Sequence, residues 1–84
     1  MTNKVALIIG AGDSLGSSIA RVFANDGFTV VVARRNGDKL SELAEEIKKS
    51  GGECFFYSLD ARKEDDVISL INKVENEIGE ILVA

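Results

Sequence analysis

Three groups of residues carry types and spacings that could do chemistry. The first is Gly10-Ala11-Gly12-Asp13-Ser14-Leu15-Gly16, which follows the apolar run Val5-Ala6-Leu7-Ile8-Ile9. Glycines there let main-chain N–H groups approach a ligand closely, and the helix start that follows adds free donors and partial positive charge. Together they make a cradle for phosphate. The second is Arg34-Arg35, at the end of the next apolar run. A guanidinium holds phosphate through two parallel charge-assisted bonds and stacks on aromatic rings; the plainer reading is a solvated charged pair. The third is Asp60, after a third apolar run, either a ligand-facing acceptor or a loop and capping residue ahead of a helix.

These groups need elements to position them, and the chain alternates between two periodicities. Residues 4–9, apolar without a break from Val5, read as a strand buried on both faces. Leu15, Ile19, Val22 and Phe23 share one helical face, and Asn25-Asp26-Gly27 supplies a glycine stop. Residues 28–33 are β-branched and read as a second strand. Asn36-Gly37-Asp38 marks a turn with a helix N-cap at Asn36 or Asp38. Leu40, Leu43, Ala44 and Ile47 then form the buried stripe of a second helix, stopped by Ser50-Gly51-Gly52. Residues 54–59 give a third strand. Residues 62–78 give a third helix, with Val67, Leu70, Ile71, Val74 and Ile78 on one face and Glu64, Asp65 and Asp66 in its first turn. Gly79 closes it, and Ile81-Leu82-Val83-Ala84 opens a fourth strand.

The order βαβαβαβ, with crossovers of helical length, demands parallel strands. The expected fold class is α/β, a Rossmann-type doubly wound parallel sheet truncated after the start of its fourth strand. The chain stops inside an apolar run, so residues 1–84 are expected to be the N-terminal part of a larger α/β domain. The alternative is a minimal domain ending on its central strand.

Composition closes several classes. A formal net charge of −4 in 84 residues offers no basic excess for nucleic acid. No apolar run reaches membrane-spanning length, and the first one ends at Gly10, as a strand rather than a signal peptide. One cysteine and no histidine leave no transition-metal site and no histidine-based catalysis, and point to a reducing, cytoplasmic setting. Cys54 is expected to fill the core.

The spacing of the loop separates the phosphate-binding patterns. A Walker A loop would place its first glycine on Ala11 and its lysine on Ser17. The fingerprint Gly-x-Gly-x-x-Gly fits Gly10 and Gly12 but places its third glycine on Leu15. Gly-x-x-x-Gly-x-Gly fits Gly10 and Gly16, with Ser14 at the middle position. With this loop, Leu-Gly-Ser-Ser-Ile-Ala-Arg-Val-Phe after it, Gly27 to Arg35 and Asp60, the chain resembles the short-chain dehydrogenases/reductases along its whole length.

The resemblance implies a site. The pyrophosphate of a dinucleotide would lie against Gly10, Gly12, Ser14, Leu15 and Gly16; Arg34 and Arg35 would take the 2′-phosphate of NADP, where a carboxylate would select NAD. Asp60 would meet the adenine amino group, with the N–H of Ala61 beside it. Two residues depart from the pattern. Ser14 lacks glycine's freedom at positive φ, and Asp13 stands where NADP-preferring relatives often carry a basic residue. Arg62 is assigned no role. The family's Tyr-x-x-x-Lys pair is absent, because Tyr57 is followed four residues later by Ala61. No catalytic residue is therefore assigned.

The expected function is the NADP(H)-binding part of an oxidoreductase that moves hydride between NADP(H) and a carbonyl or alcohol, the parent enzyme being a homo-oligomer. A non-catalytic module acting by self-association is the alternative. A methyltransferase-like domain for S-adenosylmethionine is a third, disfavoured by Arg34 where a carboxylate would be wanted.

Overall fold

The computed structural model describes residues 3–9, 13–35, 40–60 and 62–83, and the side chains of all of these except residues 3, 13–16 and 83. Seven elements alternate: β1 (Asn3–Ile9), α1 (Asp13–Asn25), β2 (Thr29–Arg34), α2 (Leu40–Lys49), β3 (Glu53–Ser58), α3 (Glu64–Glu77) and β4 (Gly79–Val83). The strands form one parallel sheet in the order β3-β2-β1-β4. Leaving β1, the chain moves first to β2 and β3 on one side and later to β4 on the other. In open parallel sheets, ligands bind outside the carboxyl ends of the strands at such a reversal.

The continuous apolar runs follow from helices on both faces. Val30 and Val32 of β2 point into a cluster with Ala20 of α1, Leu40, Leu43, Ala44 and Ile47 of α2, and Cys54 of β3. Their neighbours Val31 and Ala33 point the other way, packing with Val5, Leu7, Leu59, Leu70 and Val74. One strand thus feeds two cores, and alternate residues divide between them. Gly27 and Gly51 adopt φ of +89° and +93°, the left-handed conformation that ends α1 and α2.

Several expected boundaries move. Val22, expected on the buried face of α1, is 64% exposed, whereas Ala20 is fully buried. At 3.6 residues per turn, Val22 lies some 200° around the helix from Ala20, and Phe23 and Ala24 complete the inward stripe instead. Gly79 begins β4 rather than closing α3, pairing with Asn3. The β1–β4 register then slips, since Val5 pairs with Ile81 but Ala6 pairs with Val83, and Leu82 is left half-exposed.

Candidate functional site

Parallel strands bring their carboxyl ends to one edge. Ile9 of β1 stands in register with Ala33 of β2, and Ala33 with Tyr57 of β3. One step further, Arg34 closes β2 opposite Ser58, which closes β3. Two hydrogen bonds fasten these ends together: the N–H of Leu59 donates to the Arg34 carbonyl at 2.8 Å, and the Ser58 hydroxyl donates to the Arg35 carbonyl at 3.2 Å. Arg34 is half-buried and Arg35 exposed.

Asp60 follows two residues after β3, in a tight turn. Its carbonyl accepts from the N–H of Lys63 at 3.0 Å, and its side chain is gripped by Arg62. Oδ1 accepts from both the main-chain N–H and Nε of Arg62, and Oδ2 accepts from Nη2, each at 3.0 Å. The Arg62 side chain is 71% exposed and that of Asp60 only 23%. The Arg62 guanidinium, then its main-chain N–H, hold the Asp60 carboxyl at about 2, with a smaller contribution from the charge of Arg35. The carboxylate therefore stays ionised.

This geometry tests one expectation for Asp60, that it caps α3. The N-cap of α3 is Lys63, with no side-chain cap, so Asp60 does not cap that helix. Its carboxylate instead closes an Asx-turn onto Arg62. Arg62, without a role in the sequence reading, is thus part of the cluster. The signal was Asp-x-Arg at the end of a strand, a spacing compatible with such a turn but not diagnostic of it.

The start of α1 lies on the same side of the sheet, since it follows the carboxyl end of β1. Ser14, Leu15 and Gly16 fall in its first turn, and Asp13 is its first residue. Ser14 has helical backbone, where φ is negative, so it needs none of the freedom of the glycine it replaces. The first N–H groups of a helix have no partner within it, which favours an anion there. Gly10, Ala11, Gly12 and Ala61 lie outside the described residues. So do Asn36 and Asp38, the expected caps of α2.

Other chemistry-bearing residues play structural parts. Cys54 is 1% exposed, and burial pushes its thiol up to about 11. Tyr57 is half-buried against the α3-side core, with the Lys73 ammonium 5.0 Å from its ring centre. Among the described residues, no group of three or more Cys, Asp or Glu could hold a metal ion, and no helix is long and apolar enough to cross a membrane.

Comparison with known proteins converges on one group. The family model described as short chain dehydrogenase matches residues 4–83. An uncharacterized oxidoreductase of Bacillus subtilis, YxbG, is 33% identical over 81 residues, which cover 96% of this chain and 30% of that protein. A short-chain dehydrogenase from Rhodopseudomonas palustris superimposes with a TM-score of 0.88 at 43% identity, over 96% of this chain and 38% of its own. A metagenomic short-chain oxidoreductase in complex with NADP gives a TM-score of 0.89 at 29% identity, over 99% of this chain and 38% of its own. A putative D-mannonate oxidoreductase from Haemophilus influenza with bound NAD gives 0.83 at 26%, over 96% and 29%. The chain spans about a third of the length of these proteins.

Proposed function

The chain belongs to the short-chain dehydrogenase family, and from that premise we propose that it is the NADP(H)-binding portion of a carbonyl/alcohol oxidoreductase. It is homologous to the NAD(P)-binding N-terminal part of such enzymes, whose solved relatives include one with NADP and one with NAD. The choice of NADP rests on Arg34, the closing residue of β2, with Arg35 after it and no carboxylate at either position.

The residues present suit the group. Arg34 and Arg35 would hold the 2′-phosphate through charge-assisted bonds. Asp60, kept ionised, would accept the adenine amino group, with the N–H of Ala61 beside it. Gly10, Gly12, Ser14, Leu15 and Gly16 would pass the pyrophosphate across the start of α1. When bound, the cofactor supplies a hydride donor or acceptor; these residues fix its adenosine half and move no proton. Asp13 would repel the pyrophosphate unless its carboxylate turns to solvent at the helix start. Without a Tyr-x-x-x-Lys pair, the 84 residues alone are expected to bind cofactor without turning over substrate.

Thermal melts with NADPH and NADH test this reading, because a ligand that binds only the folded state raises its stability. A larger rise with NADPH supports it, and equal responses would remove the assignment of Arg34 and Arg35. The family sets aside the methyltransferase alternative. One observation favours the self-association alternative: β4 is an edge of the described sheet, and its Leu82 is 51% exposed. A stable dimer without nucleotide affinity would be its signature.

A further inference from the structure

Asp60 offers a ligand one direction only. An ionised carboxylate has about four lone-pair sites on its two oxygens. Arg62 occupies both of those on Oδ1, through its main-chain N–H and Nε, and one on Oδ2, through Nη2. Among the described residues no other donor reaches this carboxylate, which leaves a single site on Oδ2, on a side chain 23% exposed that cannot rotate without breaking these bonds.

We propose that Arg62 is a positioning residue for the adenine end of the cofactor: its three-bond clamp leaves Asp60 one fixed acceptor, matched to one N–H donor on the base. This rests on the dinucleotide-binding reading above and deepens it. The clamp costs the site little, because most of Arg62 stands in solvent and its guanidinium is already charged. The clamp also orders the acceptor before the ligand arrives, which removes an ordering cost from binding. Arg35 contributes charge nearby without a bond to Asp60, so the two arginines divide the work. In the proposed site Arg35 would take phosphate, while Arg62 aims the carboxylate.

The test uses two cofactors that differ at the base alone: NADPH, with adenine, and its deamino analogue, with hypoxanthine, which lacks the exocyclic amine. Dissociation constants are measured for the wild-type chain, Arg62→Met and Arg62→Lys. A hydrogen bond to a charged acceptor predicts a preference for adenine of about tenfold or more in the wild type. Arg62→Met should narrow that preference to about two- to threefold while leaving the ratio of NADPH to NADH affinity unchanged. Arg62→Lys, which keeps the main-chain bond but not the fork, should fall between. A purely structural arginine would weaken both cofactors equally and leave the base preference where it was. An unchanged or widened preference in Arg62→Met, or no preference in the wild type, overturns the inference and leaves dinucleotide binding standing. A wild-type chain that binds neither cofactor removes both readings.

Discussion

The main-chain N–H of Leu59 donates to the carbonyl oxygen of Arg34 at 2.8 Å, one bond beyond the last paired residues of β2 and β3. That bond carries the pairing past the strand ends, so the arginine pair and Asp60 leave the sheet side by side. The proposed phosphate-binding pair and the proposed base-facing acceptor are thereby held side by side at and just beyond the ends of β2 and β3. Removing both charges with Arg34→Ala and Arg35→Ala should weaken NADPH by about 10- to 100-fold, as expected for charge-assisted bonds. NADH should change by no more than about threefold by the same reckoning. Calorimetric titration of both cofactors measures this.

Asp60 carries a pH prediction. Its folded pKa, about 2, lies below the ordinary 3.8 because Arg62 binds the ionised form. The stabilisation is thus fully present above the unfolded value and is lost as pH falls through the folded one. In Arg62→Met the carboxyl should titrate close to 3.8, and acid unfolding should begin at higher pH than in the wild type. Carboxyl carbon shifts followed by NMR across the acid range read the midpoint directly.

Cys54 should be silent in the folded chain. Its thiol is buried and raised to about 11, so thiolate is scarce at neutral pH. A thiol reagent at pH 8 should label it slowly in native buffer and rapidly in denaturant. Labelling as fast in native buffer would place the thiol on the surface.

Core and surface positions on the helices should separate cleanly. Ile47 is 3% exposed and packs under β2 and β3, whereas Val22 is 64% exposed. Ile47→Ala should cost about 2–5 kcal/mol, and Val22→Ser should stay within about 0.5 kcal/mol, both read from urea unfolding.

The parts of the fold that periodicity governs were legible in advance. The stripe Leu40, Leu43, Ala44 and Ile47 is buried residue for residue, and Gly27 and Gly51 stop their helices by adopting positive φ. Val22 was misplaced because small Ala20 and Ala24, with Phe23, form the inward face of α1, and a pattern built on large apolar residues overlooks the two alanines. Gly79 was misplaced because glycine serves equally as a helix stop and as the first residue of a strand. In the candidate site, the positions of Arg34 and Asp60, at the end of β2 and just past β3, were legible because the strand pattern fixes them. The Arg62 clamp was not, because it depends on a turn that brings residues i and i+2 face to face, and many sequences with Asp-x-Arg make no such turn.

The proposed role of this edge of the sheet is to bind a dinucleotide, with a preference for the one that carries a 2′-phosphate. The most direct measurement is the shift in thermal midpoint of the 84-residue chain with matched concentrations of NADPH and NADH. The midpoint should rise with both and distinctly more with NADPH, and that difference should be lost in the Arg34→Ala, Arg35→Ala double variant. Equal rises in the wild type, or a larger one with NADH, would contradict it.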